Sequence, residues 1–414
     1  MTNTNPQKID EVLTRGVDEV IDKDHLEKEL KSGRQLRVKF GIDPTSPDLH
    51  LGHSIPLRKL RQFQDLGHKV ILLIGDFTAT IGDPSGRTTQ RKQLTEKEVK
   101  ANMKDYVKQA GKILNLKKAE IRYNSEWYGK KGAMFLMELA SKFTVARVIE
   151  RDDFKQRLKD DVDISMLELT YPLLQGYDSV ELKADVEIGG RDQKFNLLMG
   201  RKVQKRYDMP EQDIMTFPLL EGVDGSKKMS KSLGNYIGLT EVPAQMYGKI
   251  MSIPDELMWK YFNLLTNVSS EEIKQIKEDK QKLLISPINI KARLAREIIS
   301  VFHSEKEAQN AEEEFNKIFR NKELPSDMPI FKTDKKVYPI LDLLFDSKLV
   351  SSKSEAKRLV EQNAVEIQTC EKKEKVNDWK KEISLENGTI IKVGSRRFVK
   401  VVLKSEKLYR SAKK

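Results

Sequence analysis

The sequence predicts a doubly wound α/β fold with a parallel sheet, followed by a helical segment and a small α+β segment. Residues 35–42 and 69–75 are apolar strand patterns separated by a helical pattern. Short strand patterns then alternate with helical ones, and from about 240 to 322 the pattern is helical. A chain of 414 residues is too long for one ordinary core, so two or three domains are expected.

Composition restricts the class of protein. Hydrophobic residues make up 38% and charged residues 33%, which is typical of a soluble globular protein. No apolar run approaches the roughly 18 residues that a membrane span needs, so we expect no membrane partner. Cys370 is the only cysteine, which excludes an intramolecular disulfide. Because the first ten residues are polar and lack a signal-peptide core, a cytoplasmic location is expected.

The positive charge is concentrated at the end of the chain. The net charge is +12, and residues 331–414 carry 21 Lys and Arg against 12 Asp and Glu, a net of +9. A localised positive field suits a polyphosphate such as a nucleic acid. A lysine-rich surface that is merely solvated explains the same excess, so charge alone leaves both interpretations open.

The first strand leads into a loop at 43–48 and a predicted helix. Asp48 is expected to cap this helix, which runs from Leu49 to Leu66 and stops at Gly67. A strand, a helix and a parallel strand form the start of a doubly wound sheet, in which ligands bind at the carboxyl ends of the strands.

The remaining elements follow from periodicity and turn residues. Further helices are predicted near 95–114, 131–142, 164–175 and 191–206, and short strands near 121–123, 184–188 and 214–217. Pro325 and Pro329 bracket a predicted linker. The last segment is predicted to contain a helix at 338–345, a second helix at 355–361 capped by Ser352 or Ser354, and strands at 364–368, 388–393 and 397–402, the last two joined at Gly394-Ser395.

The tetrapeptide His50-Leu51-Gly52-His53 lies where the predicted helix begins. Free N–H groups and the dipole at a helix start favour an anion, and two imidazole donors there can stabilise charge that grows on a phosphate. Gly52 leaves room for a flat base. The alternatives are a zinc site and two surface histidines on a helix. With only five histidines, one cysteine and no other ligand cluster, we expect no bound metal.

The peptide Lys228-Met229-Ser230-Lys231-Ser232 lies in a polar loop flanked by glycines. Such a loop can close over a triphosphate and bring two compact ammonium charges to it. A solvated lysine loop is the alternative. Because this peptide follows the histidine motif on the same chain, a shared triphosphate site is favoured. Gly190 and Asp192 form a glycine turn before a helix that suits a ribose, although a plain helix cap explains that turn equally well.

With these motifs, the chain resembles the bacterial tyrosyl-tRNA synthetases, which are class I aminoacyl-tRNA synthetases, over essentially its whole length. The histidine and lysine peptides match the two signatures of the class. Tyr171, Gln175 and Asp178 match the helix that grips the amino group and the phenol of tyrosine in the family.

The resemblance implies three sets of site residues in a Rossmann-like domain. The catalytic set is His50, His53, Thr45, Lys228 and Lys231. The ATP-binding set is Asp43, His50, Gly52, His53, Gly190, Asp192, Lys228, Met229, Ser230, Lys231 and Ser232. The tyrosine-binding set is Asp83, Tyr171, Gln175, Asp178 and Gln193. Without the two signatures, the segment at 171–178 is equally an amphipathic core helix.

The family's reaction is implied as well. The carboxylate of L-tyrosine attacks the α-phosphorus of ATP, which is accompanied by Mg²⁺, and the tyrosyl group then passes to the 3′ end of tRNA(Tyr). A homodimer is implied, with residues near 127–150 at its interface. One position departs from much of the family, because Lys39 stands where a tyrosine commonly contacts the substrate phenol. This makes Asp178 the expected partner of the hydroxyl.

Residues 337–403 resemble the S-four-type RNA-binding module, first seen in a ribosomal small-subunit protein. Lys357 and Arg358 are implied to meet phosphates, and Asn363 replaces the usual glycine because asparagine accepts a left-handed backbone. The resulting division is a catalytic domain at 1–236, a helical anticodon-recognition domain with linker at 237–330, and an RNA-binding domain at 337–404.

Three alternative functions remain at this point. A tryptophanyl-tRNA synthetase shares the fold and both signatures, but the terminal module and the set at 171–178 disfavour it. A nucleotidyltransferase or small-molecule ligase has no need of a basic RNA-binding tail. A non-catalytic RNA-binding protein on a synthetase scaffold has no need of intact lysine and histidine motifs.

Overall fold

The computed structural model describes residues 2–85, 93–319, 328–369, 372–394 and 397–403. The chain forms two compact units, residues 1–312 and residues 313–414. The predicted linker proline Pro325 and the predicted turn residue Ser395 lie outside the described residues.

The first unit is built on a six-stranded sheet in the order β1-β6-β5-β2-β3-β4. Neighbours are parallel except for β1, which pairs antiparallel with β6. The predicted doubly wound parallel sheet is therefore confirmed, with one added antiparallel edge. The strands are β1 (Glu19–Ile21), β2 (Arg37–Ile42), β3 (Lys69–Ile74), β4 (Glu120–Tyr123), β5 (Val186–Gly190) and β6 (Asp213–Phe217).

Helices cover this sheet and continue beyond it, as the predicted helical segment requires. They are α1 (Pro6–Thr14), α2 (Lys23–Lys31), α3 (Leu51–Asp65), α4 (Thr78–Ile81), α5 (Glu96–Met103), α6 (Tyr106–Ala110), α7 (Ser125–Tyr128), α8 (Ala133–Ser141), α9 (Val145–Val148), α10 (Asp152–Lys159), α11 (Met166–Glu181), α12 (Lys194–Arg206), α13 (Pro243–Met251), α14 (Met258–Leu265), α15 (Ser270–Gln281), α16 (Pro287–Phe302) and α17 (Glu305–Phe319). Among the described residues, no helix is both long enough and apolar enough to cross a membrane.

The start of α3 differs from the prediction. Asp48 does not cap it; the helix begins at Leu51 and His50 is the N-cap residue. The side chain of His50 accepts a hydrogen bond from the Gly52 N–H, so an imidazole nitrogen does the work usually done by an aspartate oxygen. The predicted C-terminal end of α3, Leu66, lies one residue beyond the last helical residue, Asp65. Gly67, where the helix was predicted to stop, has a φ of +89°.

Two other helical predictions were wrong in extent. The segment 95–114 forms the two short helices α5 and α6. Helix α11 continues past 175 to Glu181, through Gly176. A glycine is needed at this position because α12 packs closely against it: an added Cβ would lie 2.6 Å from Val203 Cγ2.

The second unit contains a five-stranded sheet in the order β10-β9-β12-β13-β7 and a two-stranded sheet of β11 and β8. Its helices, α18 and α19, lie over a core that includes Leu343, Leu344, Val360 and Ile391. Asn363 has a φ of +55°, which confirms the left-handed backbone predicted there. The elements are β7 (Ile330–Thr333), β8 (Val337–Pro339), α18 (Ile340–Asp346), α19 (Lys353–Glu361), β9 (Val365–Gln368), β10 (Lys373–Val376), β11 (Glu382–Ser384), β12 (Ile390–Val393) and β13 (Arg397–Leu403).

Candidate active site

A cleft is expected where the winding of the first sheet reverses. Strand β2 lies between β3 on one side and β5 on the other. The chain continues from β3 to β4 in one direction across the sheet and from β5 to β6 in the other, so these two crossovers lie on opposite faces of the sheet. The chain leaves these strands at Asp43, Gly75 and Arg191. The sequence motifs of interest follow these strand ends directly.

His50 and His53 form a reciprocal cap at the start of α3. The His50 Nδ1 accepts a hydrogen bond from the Gly52 N–H at 3.1 Å, and the His53 Nδ1 accepts one from the His50 N–H at 3.2 Å. The two rings lie 3.9 Å apart between centroids. Because both Nδ1 atoms accept, the proton of each neutral ring is on Nε2, which makes each Nε2 a hydrogen-bond donor.

Both imidazoles are neutral at physiological pH. Burial lowers the pKa of His50 to about 2, and the nearby His53, Lys231 and Lys228 act in the same direction. Burial likewise lowers the pKa of His53 to about 3, with the same two lysines contributing. The two uncharged, partly buried rings can therefore donate hydrogen bonds from Nε2–H to an anion.

The lysine loop lies beside this helix start. The Leu51 N–H donates to the Ile237 carbonyl at 2.9 Å, which joins the chain just after the loop to the first turn of α3. The Lys231 Nζ lies 3.4 Å from Asp48 Oδ2, and the Lys228 Nζ forms an ion pair with Asp192. The structure thus brings the histidine and lysine motifs together at the start of α3.

Asn235 and Met229 hold the lysine loop in shape. The Asn235 Oδ1 accepts from the Ser230 N–H at 2.8 Å. Its Nδ2 donates to Asp224 Oδ2 at 2.9 Å and lies near the Lys227 and Lys228 carbonyls at 3.3 and 3.2 Å. Met229 is buried and its N–H donates to the Leu220 carbonyl at 2.7 Å, so both its side chain and its backbone anchor the loop.

Tyr171, Gln175 and Asp178 lie on α11 at spacings of four and three residues, so they share one face of the helix. The Tyr171 hydroxyl donates to Asp43 Oδ2 at 2.9 Å, and the Thr78 hydroxyl donates to Asp43 Oδ1 at 2.9 Å. This links a residue of the predicted tyrosine set to one of the predicted ATP set.

Gly75 makes room for this contact. An added Cβ at this position would lie 2.0 Å from Asp43 Oδ1, so any other residue would push the carboxylate away.

Asp178 is a buried carboxylate held by two donors. The Trp127 Nε1–H donates to its Oδ1 at 3.0 Å, and the Asn124 amide donates to its Oδ2 at 3.3 Å. Burial raises the pKa of Asp178 to about 7, while Lys39 and the hydrogen bonds oppose the rise. The group therefore titrates near neutrality.

Lys39 is fully buried and does not lie free at the cleft. Its Nζ forms an ion pair with Glu187 Oε1 at 2.9 Å and donates to Ser179 Oγ at 2.7 Å. The Gln175 amide is 3.5 Å from the same Glu187 oxygen. The buried pair thus ties β2, β5 and α11 together behind the predicted tyrosine residues.

Asp83 and Gln193 also meet. The Gln193 amide donates to Asp83 Oδ2 at 2.7 Å, and the Asn196 amide donates to Gln193 Oε1 at 3.0 Å. Thr45 lies in the loop after β2, where its N–H donates to the Asp43 carbonyl at 2.8 Å. The Asp192 carboxylate lies against Gly190: an added Cβ on Gly190 would lie 2.6 Å from Asp192 Oδ1.

Sequence reasoning missed the residues that hold the others. Asn124, Trp127, Thr78, Glu187 and Asn235 carry no local pattern that distinguishes them from ordinary core or loop residues. Only their contacts across the fold identify them.

One group outside the cleft has the composition of a metal site. The ligand atoms of Asp22, His25 and Asp213 lie within 4.8 Å of one another. The His25 Nδ1 is 3.0 Å from Asp213 Oδ2, and this pair accounts for the arrangement without an ion.

In the second unit, Lys357 and Arg358 are exposed on α19. The Lys357 Nζ lies 4.4 Å from the centroid of the Trp379 ring and 3.9 Å from Glu361 Oε1. A cationic face next to an aromatic ring is typical of nucleic-acid contacts.

Comparison with known proteins identifies the class first. Residues 31–320 match the family described as tRNA synthetases class I (W and Y), and residues 321–401 match the family described as the tyrosine–tRNA ligase SYY-like C-terminal domain. Among solved structures, a C-terminally truncated mitochondrial tyrosyl-tRNA synthetase from Aspergillus nidulans has a TM-score of 0.65 at 23% identity, over 75% of this chain and 94% of that one. This last likeness shows the fold.

Full-length relatives identify the member of the class. The tyrosine–tRNA ligase of Carboxydothermus hydrogenoformans is 50% identical over 95% of this chain and 97% of its own length. That of Thermotoga maritima is 48% identical over 96% and 98%. The chain belongs to the tyrosine–tRNA ligases, and its activity is that of a tyrosine–tRNA ligase. The tryptophanyl and non-catalytic interpretations are therefore set aside.

Proposed function

We propose that the cleft activates L-tyrosine with ATP and Mg²⁺, forming tyrosyl-adenylate and pyrophosphate, before transfer to tRNA(Tyr). The observation that carries this proposal is the convergence of Lys228 and Lys231 on the start of α3, beside two neutral imidazoles. No side-chain nucleophile is needed, because the carboxylate of tyrosine attacks the α-phosphorus. The protein supplies placement and charge stabilisation.

In this proposal the donors act on the triphosphate. The Nε2–H groups of His50 and His53 and the ammonium groups of Lys228 and Lys231 stabilise the charge that grows as pyrophosphate leaves, and Thr45 assists from the loop after β2. Before ATP arrives, each lysine is paired with a carboxylate, so the phosphates replace Asp192 and Asp48 as partners. Asp192 is then available to the ribose.

The remaining members of the ATP set form the walls. Gly52 and Gly190 lack side chains that would obstruct the nucleotide. The loop residues Met229, Ser230 and Ser232 fix the backbone between the two lysines, because the Met229 N–H donates to the Leu220 carbonyl, the Ser230 N–H donates to Asn235 Oδ1, and the two serine hydroxyls are hydrogen-bonded to each other. The Asp43 carboxylate lies between the two substrate sets because it accepts from the Tyr171 hydroxyl.

Tyrosine is proposed to lie along α11. Asp178 accepts a hydrogen bond from the phenol hydroxyl of the substrate, while Tyr171 and Gln175 face its ammonium group. Asp83 and Gln193, which are hydrogen-bonded to each other, complete this side of the site.

The RNA substrate is proposed to extend over three regions. We assign catalysis to 1–236, anticodon recognition to the helical region 237–330, and further RNA contacts to 337–404 through Lys357 and Arg358. The exposure of these two side chains beside Trp379 supports the last assignment.

The active form is proposed to be a homodimer. Large apolar side chains are exposed between residues 134 and 167, where Met134 is 80% and Met137 is 70% exposed. The other exposed apolar residues in this stretch are Leu136, Val145, Leu158, Met166 and Leu167. Exposed large apolar side chains favour a contact surface, and we propose a second copy of the chain as the partner.

Amino-acid-dependent ATP–pyrophosphate exchange tests the proposed activation step. We expect exchange with tyrosine and none with tryptophan or the other amino acids. Exchange that depends on tryptophan, or its absence with every amino acid, would overturn the proposal.

A further inference from the structure

A buried carboxylate lies behind the residues proposed to hold tyrosine. Glu187 belongs to β5 and is 1% exposed, so it is part of the interior rather than of the cleft surface. Its Oε1 pairs with the Lys39 Nζ at 2.9 Å, and its Oε2 accepts from the Ser179 hydroxyl at 3.1 Å. Gln212, which precedes β6, donates its amide to the same Oε2. The carboxylate is thus the acceptor for one cation and two neutral donors.

Lys39 joins this carboxylate to α11. Besides its pair with Glu187, its Nζ donates to the Ser179 hydroxyl at 2.7 Å and to the Gln175 carbonyl at 3.4 Å. The three donors of the ammonium group therefore have three partners, two of which lie on α11. A lysine of β2 and a glutamate of β5 thus hold the helical turn from residue 175 to residue 179 in place.

Close packing leaves this network no spare room. An added Cβ on Gly200 of α12 would lie 2.5 Å from Gln212 Nε2 and 3.1 Å from Glu187 Oε2, so a larger residue would displace these side chains. Burying an ion pair removes both ions from water, and an apolar pair of similar volume often stabilises a protein equally well. The place of this pair directly behind the cleft therefore favours a function in the site.

The side chain of Gln175 connects the buried pair to the cleft. It is half-buried, and its Nε2 donates a long hydrogen bond of 3.5 Å to Glu187 Oε1. A carboxylate can only accept, so it draws the NH₂ end of the amide toward itself and leaves the carbonyl oxygen, Oε1, for another partner. An ammonium group can only donate, so Oε1 is the atom that it requires from Gln175.

We propose that Glu187 is a positioning residue for tyrosine: paired with Lys39, it fixes the polarity of the Gln175 amide so that Oε1 accepts from the ammonium group of the substrate. Glu187 does not touch tyrosine and acts through Gln175. Lys39 is then the counter-ion of the positioning carboxylate rather than a contact to the phenol. This inference rests on the proposed function, in which Gln175 faces the ammonium group.

Binding of tyrosine and two analogues to full-length Glu187→Gln tests the proposal. The new amide can donate as well as accept, so it no longer holds the Gln175 amide in one orientation. The dissociation constant of L-tyrosine, measured by calorimetry without ATP, should rise about tenfold because a charge-assisted hydrogen bond is weakened. Tyramine keeps the ammonium group and should lose affinity by the same factor. The analogue 3-(4-hydroxyphenyl)propionate lacks that group and should bind as it does to the wild type.

Gln175→Ala completes a double-mutant cycle. Because Glu187 is proposed to act through Gln175, Glu187→Gln should cost no further affinity for tyrosine when Gln175→Ala is already present. The double variant Lys39→Met, Glu187→Gln removes both buried charges, so it covers the case in which Glu187→Gln alone leaves Lys39 unpaired and does not fold. It should weaken tyrosine and tyramine by about the same factor as Glu187→Gln and spare the analogue without the ammonium group.

Arg157→Met is the matched control. Arg157 is 1% exposed and pairs at 2.7 Å with Glu168, which lies two turns before Gln175 on α11. The change therefore breaks another buried ion pair on the same helix without touching the Gln175 amide. Its dissociation constants for all three ligands should equal those of the wild type.

Three results would overturn the positioning role. They are an unchanged affinity for tyrosine in Glu187→Gln, an equal loss for all three ligands, and a loss that adds to that of Gln175→Ala. Tyrosine-dependent exchange by the wild type separates these results from failure of the proposed function. A wild type that does not activate tyrosine contradicts the proposed function, whereas an active wild type with any of the three results contradicts the role of Glu187 alone.

Discussion

At the scale of single residues, Lys231 is the cation proposed to bind the triphosphate, and in the free protein it is paired with Asp48. Its ammonium group is 3.4 Å from Asp48, and burial lowers its pKa while Asp48 opposes that effect. Lys231→Ala should slow tyrosyl-adenylate formation about a hundredfold, because one charged donor to the transition state is lost. Single-turnover pyrophosphate release measures this rate.

Lys227→Ala is the control for that substitution. Lys227 is an exposed lysine of the same loop, and its backbone carbonyl, which the change retains, makes the contact with Asn235. It should activate tyrosine at the wild-type rate. A wild-type rate in Lys231→Ala would refute the role assigned to Lys231.

Asp178 should make tyrosine recognition depend on pH. Its raised pKa, about 7 in the free protein, means that the carboxylate is increasingly protonated below neutrality, which turns one oxygen into a donor and makes the other a weaker acceptor. We expect kcat/KM for tyrosine to fall as the pH decreases through 7, since kcat/KM reports groups of the free enzyme. A profile of exchange rates between pH 5.5 and 8.5 measures this.

Asp178→Asn is the variant that isolates this effect. The amide should flatten the profile and narrow the preference for tyrosine over phenylalanine, because the hydroxyl loses its charged acceptor. A profile as steep as that of the wild type would show that another group titrates.

The motif residues of the site could be predicted from the sequence, whereas the residues that fix them could not. His50, His53, Lys228 and Lys231 belong to short peptides that matched family signatures. Trp127 and Asn124 reach Asp178 across about 50 positions of the chain, and only the tertiary fold creates such contacts. For the same reason, the burial of Lys39 against Glu187 was unforeseen.

At the scale of elements, the lysine loop depends on Asn235. This side chain contacts Asp224 and the backbone of Lys227, Lys228 and Ser230. Asn235→Ala should raise KM for ATP and lower kcat for exchange by about tenfold, because the loop is less well ordered before the triphosphate binds. Tyrosine affinity should be unchanged, and steady-state exchange at varied substrate concentrations separates the two effects.

Leu233→Ala changes an exposed residue of the same loop and serves as the control. Its kinetic constants should match those of the wild type. Equal ATP constants in Asn235→Ala and Leu233→Ala would mean that the hydrogen bonds of Asn235 do not organise the loop.

Strands and helices were predictable where their pattern was continuous. β3 is buried at five successive positions, and its apolar run marks a strand covered on both faces. The short elements β1, α7 and α9 have three or four residues each, which is too few for a period to be recognised. The start of α3 was misplaced because an imidazole cap has no familiar sequence signal.

At the scale of the whole molecule, the exposed apolar stretch predicts association. The double variant Met134→Lys, Met137→Lys should convert the proposed dimer to a monomer, because two charges at a mostly apolar contact lose their hydration without a partner. Light scattering after size-exclusion chromatography measures the mass.

Leu283→Lys is the matched control, since Leu283 is 91% exposed in the connection between α15 and α16, outside this stretch. It should leave the mass unchanged. A dimeric double variant, or a wild type that is monomeric at micromolar concentration, would contradict the proposed interface.

The antiparallel edge of the first sheet has a consequence for biosynthesis. β1 occupies residues 19–21 and pairs with residues 214–216, so nearly half of the chain separates the two partners. At elongation rates of 5–20 residues per second, the nascent N-terminal segment waits roughly 10–40 s for its mate to leave the ribosome. During that interval β1 lacks the strand with which it pairs in the folded protein, so this edge of the sheet is completed only after residues 214–216 have been synthesised.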